Sequence, residues 1–222
     1  MRTQFAQNIK LLGAGIFVTS LLLFGGCNKS ASVATPRPPG HEFLTTVELV
    51  YQNTNNSSDT GRGIWRQLDP TGVATPDTSK AILNLKANST YNVTMLLLDE
   101  TKTPVDTVSV VIRERQNYHL EYYQPTPISP SNLVISNTST DIPIADGTVT
   151  SASGPYLNLV VTRTDLDTNI PPMQVGLTTS FAVGAASTGW LRVVQRHQPN
   201  VKNGTYDPGS VDFDVNYQVN IN

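Results

Sequence analysis

With 222 residues, 15 lysines and arginines against 17 aspartates and glutamates, and a formal charge of −2, the chain has room for one large or two small domains. It lacks the excess of basic residues that binding a phosphate backbone requires, so nucleic acid is not an expected partner. Its one cysteine, Cys27, leaves no pair for an internal disulfide. Gly and Pro occur 15 times each among abundant Thr, Val and Asn, the balance of an all-β protein with many turns.

The chain opens with Arg2 and Lys10, continues through an apolar run from Leu11 to Phe24, and reaches Cys27 across Gly25-Gly26. The run is 14 residues long, short of the ~20 that span hydrocarbon, and small residues close it as a signal peptidase requires. Residues 1–26 therefore read as a signal peptide. The layout resembles that of bacterial lipoproteins, which implies that the chain is cut before Cys27 and that Cys27 carries the lipid, palmitate among its acyl chains. The cut removes Arg2 and Lys10 and no acidic residue, so −2 becomes −4 and about 195 residues remain. The mature body then has no thiol for a nucleophile or metal site. Residues 27–40, with Ser30, Ser32, Pro36, Pro38, Pro39 and Gly40, form an expected flexible tether.

Strands are predicted at Thr45 to Tyr51, Lys80 to Lys86, Tyr91 to Asp99, Val105 to Arg115, Tyr118 to Tyr123, Tyr156 to Thr164 and Trp190 to His197. The clearest is the last, where Val211, Phe213, Val215, Tyr217, Val219 and Ile221 alternate with Asp212, Asp214, Asn216, Gln218 and Asn220. Such alternation puts one face in the core and one in water. Turn signals lie at Asn53 to Gly63, Asp69 to Gly72, Asp99 to Pro104, Arg115 to Asn117 and Asn200 to Gly209. No segment shows a helical period. Pro125, Pro127 and Pro130 mark residues 125–130 as a linker. The expected architecture is an antiparallel β-sandwich fold, as two immunoglobulin-like sandwiches in tandem over 41–124 and 131–222. One larger sandwich or barrel with Pro-rich crossovers is the alternative.

Four constellations bear on chemistry. Asp165, Asp167 and Asn169 recur at every second position, the spacing that begins many calcium loops and also the composition of a polar β-turn. Calcium is thus the one cofactor in view. Trp190, Arg192 and Arg196 share a strand face with Val194, where they could hold a carboxylate or phosphate beside a flat apolar surface; equally, arginine stems cover sheet surface while their heads pair with acids. His41, His119 and His197 show no close ligand spacing, and Asp212 and Asp214 read as a solvated strand face. No Gly-rich phosphate loop, nucleophile elbow or two-histidine zinc helix occurs.

The anchor, Leu44-Thr45-Thr46-Val47-Glu48-Leu49, the stretch Leu85 to Met95 with Asn88-Ser89-Thr90-Tyr91, and Leu191-Arg192-Val193-Val194-Gln195-Arg196-His197-Gln198-Pro199 before the acidic last strand resemble Bacteroidota envelope lipoproteins. That resemblance implies a location and an all-β fold, with no established activity and no catalytic residues. Asp106-Thr107-Val108 resembles the short O-glycosylation signal of such envelope proteins, which would place a glycan on Thr107. Asn28-Lys29 lacks the aspartate that retains lipoproteins at the inner membrane, and no acidic export cluster follows Cys27. The expected location is the outer membrane, on its periplasmic face. The functional expectation is a non-enzymatic, lipid-anchored envelope protein that binds a ligand or protein partner, an accessory of an outer-membrane uptake system being one form. A structural spacer or adhesin is the alternative, and a hydrolase with an unrecognised site comes third.

Overall fold

The computed structural model describes residues 43–69, 74–126 and 157–222. Cys27, His41 and the expected signal peptide and tether lie outside them. Among the described residues the elements are β1 (Thr46–Asn53), β2 (Thr60–Arg66), β3 (Asp77–Lys80), β4 (Ile82–Leu85), β5 (Thr90–Asp99), β6 (Asp106–Thr107), α1 (Val108–Glu114), a 3-10 turn (Gln116–Tyr118), β7 (His119–Thr126), β8 (Leu159–Arg163), β9 (Thr178–Val183), β10 (Ser187–His197) and β11 (Ser210–Ile221).

Alternating apolar residues decide which face each strand buries. Val47, Leu49 and Tyr51 of β1 and Tyr91, Val93, Met95 and Leu97 of β5 point the same way, into a core shared with Phe213, Val215, Tyr217, Val219 and Ile221 of β11. Two sheets enclose that core. The first has the order β3-β2-β1-β5-β9-β8, with β6 added to the end of β5; the second has the order β4-β11-β10-β7. All pairs are antiparallel except β4 with β11. The Tyr217 hydroxyl crosses the core to donate to the Val47 carbonyl at 2.8 Å.

The all-β sandwich expected from the alternation is what forms, while its division into two in tandem is not. β5 pairs with β9, β4 with β11 and β7 with β10, so each sheet takes strands from both sides of the proline-rich stretch. β7 itself runs through Pro125, which pairs with Leu191. An edge strand accepts proline because no neighbour needs its missing N–H.

Three local expectations are also corrected. The predicted strand Val105 to Arg115 forms α1 over most of its length, because Val108 and Ile112 are spaced for one helix face as well as for one strand face. The helix buries both and turns Val110 out, 54% exposed. β2 falls partly within the predicted turn Asn53 to Gly63, since Gly61 and Gly63 look like turn residues. They are instead clearances: a Cβ on Gly63 would lie 2.6 Å from Leu83 Cδ2 and 3.0 Å from the Tyr217 ring, and one on Gly61 would meet Tyr51. Finally, a bulge between Gln195 and Arg196 opposite Val211 and Phe213 breaks the alternation of β11 at its start. Val211 is therefore exposed, and Asp212 approaches the buried side of the sheet.

Candidate functional site

The inner face of the second sheet turns polar at one end. Register places His119 of β7 opposite His197 of β10, and Glu121 opposite Gln195. These residues have the same parity as Tyr123 and Val193, which lie in the core, so they too point inward. The two imidazole rings stack with centroids 4.9 Å apart and planes 10° from parallel. His119 Nδ1 lies 3.0 Å from the Arg115 carbonyl, which can only accept, so this nitrogen carries the proton. Its Nε2 is then a lone pair, 3.9 Å from Asp212 Oδ2 and without a hydrogen bond. Burial above all, with the positive surroundings of His197, Lys202 and Arg115, pulls His119 from 6.5 down to about 4 against the opposing bond to Arg115.

Glu121 shows the opposite shift for the same first reason. Burial pushes its carboxyl well above the usual range, the negative charges of Asp212 and Asp165 add to this, and the bond from Gln195 opposes it. Gln195 Nε2 donates to Glu121 Oε1 at 2.6 Å, and Oε2 has no partner among the described residues. An imidazole, an aspartate and a neutralised carboxylic acid are the ingredients of proton transfer. Here, however, His119 and Glu121 have no exposed surface. Among the described residues no group of three or more His, Cys, Asp or Glu is placed to hold a metal ion.

Three loop segments close over this end. Asp165 Oδ1 accepts from the Gly176 N–H at 2.7 Å and Oδ2 from the Leu177 N–H at 3.0 Å. Asp167 Oδ1 accepts from the N–H groups of Asn169 and Met173, while Oδ2 accepts from the Asn169 side-chain amide. The same Oδ2 lies 2.8 Å from Lys202 Nζ, an ion pair with 1% and 0% of the two side chains exposed. Lys202 also donates to the Gln116 carbonyl, and Asn117 Oδ1 accepts from the N–H and hydroxyl of Thr168. Burial lowers Lys202 and would raise Asp167, but the bonds from Lys202, Met173 and Asn169 hold Asp167 below its ordinary value. The oxygen spacing that suggested calcium thus organises a turn around an ammonium supplied by the chain itself. Sequence reasoning passed over Lys202 because a lone lysine in an Asn, Gly and Pro turn carries no spacing signal.

The arginine face of β10 is also engaged internally. Arg192 is 4% exposed and grips Asp214 through two nitrogens, Nε to Oδ1 at 2.7 Å and Nη2 to Oδ2. Arg196 lies over the Tyr206 ring at 4.4 Å and donates to the Gly209 carbonyl at 2.7 Å. Trp190, half-buried, stands beside them on the same strand face. Residues 198–209 fold back over this face, where Tyr206 joins Leu120, Tyr122 and Val194 in a second apolar cluster. Gln198 Nε2 fixes that fold by donating to the carbonyls of Thr205 and Pro208 at 2.8 Å. The surface that could have gripped an anion is covered.

At the opposite end, residues 54–59 join β1 to β2, and 54–58 stay exposed. Asp59 Oδ2 accepts from the Asn53 amide at 2.9 Å and the Tyr91 hydroxyl at 2.8 Å, while Asn56 Oδ1 accepts from the Ser58 N–H and hydroxyl. A shallow cavity of about 310 Å³ lies at this end too, lined by Asn158, Leu159, Val160, Ala182, Val183 and Gly184. Thr107 is exposed on β6, just ahead of α1. Among the described residues no helix is long and apolar enough to cross a membrane. Compared with protein-family models, curated proteins and solved structures, the chain matches none.

Proposed function

We propose that the protein is a non-enzymatic, lipid-anchored envelope protein, held at the outer membrane through Cys27, which binds a polar ligand or partner with the loops opposite its sealed end. The observation that carries this reading is the loop 54–58. Its Thr, Asn and Ser side chains face solvent on a backbone already fixed by Asp59 and Asn56, so a partner meets a formed surface at little ordering cost. Burial of the proton-transfer groups supports the non-enzymatic part: a side chain with no exposed surface cannot exchange a proton with a bound solute. Exposure of Thr107 supports a glycan there.

Two measurements test the reading. Metabolic labelling with an alkyne fatty acid should mark the wild-type chain and leave Cys27→Ser unmarked. A photocrosslinking residue at position 56 should capture a discrete envelope component, and the same residue at position 199, beyond the end of β10, should not. Equal capture at both positions, or none at 56, removes the case for the loop.

A further inference from the structure

Strand direction places the entry of the chain and one unusual loop together. β1 begins at Thr46 opposite Leu98, near the end of β5, and Thr45 N–H donates to the Leu98 carbonyl. β9 begins at Thr178 opposite Thr94 on the same strand, and Met95 N–H donates to the Leu177 carbonyl. The connection from β8 to β9 therefore leaves the sheet at the end where Phe43 to Thr45 enter it. Cys27 precedes Phe43 by only 15 intervening residues, which span at most about 50 Å when extended.

The tip of that connection is built to leave water. Ile170 is 100% exposed and Leu166 55%, with Pro171 and Pro172 also exposed. Val201 and Tyr118 add apolar surface from the two segments tied to it through Lys202 and Asn117. From 166 to 173 the only charged residue is Asp167, which is buried and paired. Most of its backbone N–H groups are also satisfied. N–H groups of Asp167, Thr168, Asn169 and Met173 are bonded within the protein, and the two prolines have none. Entry into lipid is opposed by charge and by unpaired backbone donors; in this loop the one charge is buried and paired, four donors are bonded and the two prolines carry none.

We infer that the tip formed by Leu166, Ile170, Pro171 and Pro172 seats in the interface of the bilayer that carries the Cys27 anchor, holding the body with its sealed end to the membrane and residues 54–59 away from it. This rests on the anchored reading above. Aliphatic side chains and a nearby tyrosine suit the headgroup boundary, where partial burial suffices. The anchor supplies attachment, and the tip fixes orientation.

The test uses the full acylated chain in vesicles of phosphatidylethanolamine and phosphatidylglycerol. Acylation occupies Cys27, so Ile170→Cys or Ala185→Cys offers a single thiol for an environment-sensitive fluorophore, Ala185 being exposed at the opposite end. Nitroxide-labelled lipid should quench the probe at 170 severalfold, with a blue shift, and leave that at 185 unchanged. If mass spectrometry shows Cys27 acylated and both probes behave alike, the seat is wrong and the anchor stands. Acyl-free Cys27 on a protein that stays off the vesicles overturns both. A blue shift at 170 without quenching by lipid means another protein surface covers the tip, which also overturns the proposal.

Discussion

The inner face of β7, β10 and β11 changes character halfway along. Toward one end it offers Tyr123, Leu191, Val193, Val215 and Tyr217, all within the shared core; toward the other it offers Glu121, His119, Gln195 and His197 with Asp212 beside them. Both halves are largely closed to solvent, yet one is held by apolar burial that pH does not touch and the other contains His119 and Glu121, whose charge states burial has shifted. Closure alone therefore says little about what a region contributes, and the difference predicts which perturbations each half resists.

The largest effect is expected in the apolar half. Val215 is 1% exposed, and Val215→Asp would bury a carboxylate with no partner in place of about 1.5–3 kcal/mol of apolar burial. A loss of about 4 kcal/mol or more is expected, enough to leave little folded protein at 37 °C. A thermal midpoint equal to wild type would mean that this face is not core.

Next comes the ion pair that pins the loops over the polar half. Lys202→Met keeps most of the side-chain volume but leaves Asp167 buried with its negative charge uncompensated. Breaking a buried pair in this way costs about 3–5 kcal/mol. Urea unfolding at pH 7 measures it, and a loss below about 1 kcal/mol would show that water or another donor replaces the ammonium.

Most of the apolar half was legible in the sequence, and little of the polar half was. Period-two alternation from Phe213 to Ile221 fixes the inward face of β11 without any partner strand. His119 and Glu121 gain meaning only from strands distant in sequence, since Gln195 lies 74 residues from Glu121. Asp212 was assigned to a wet face because a bulge leaves no mark on residue type. The pairing across the proline-rich stretch is hidden for a related reason: which edge β5 or β11 pairs with is a long-range choice, and Pro125 looks the same in a linker as in an edge strand. Alternation puts Arg192 and Arg196 on one face of β10, whereas the loop that covers them is visible only in the fold.

The polar half should show opposing pH dependences. His119 is held at about 4, against an unfolded value of about 6.5, so between these the unfolded chain binds the extra proton. Its contribution is complete above about 6.5 and is lost as pH falls toward 4, by about 3 kcal/mol in all. Glu121 has the reverse sign: its raised value means the folded state keeps a proton that the unfolded chain releases, so stability falls as pH rises through and beyond the ordinary carboxyl range. His119→Gln should therefore flatten the acid limb of a stability profile, and Glu121→Gln should raise stability at pH 7 to 8. Identical profiles for wild type and both variants would place the titrating groups elsewhere.

The smallest expected effect lies only a few residues from one of the largest. Ile170 is fully exposed, three positions from the buried Asp167 on one side and from the bonded Met173 on the other. Ile170→Ser removes no packing, so its urea midpoint should match wild type within about 0.5 kcal/mol, while the Lys202→Met chain is strongly weakened. The loop would then consist of a rigid frame and a tip that adds nothing to folding. A loss above about 1 kcal/mol would instead mean that Ile170 contacts the body and that the tip belongs to the frame.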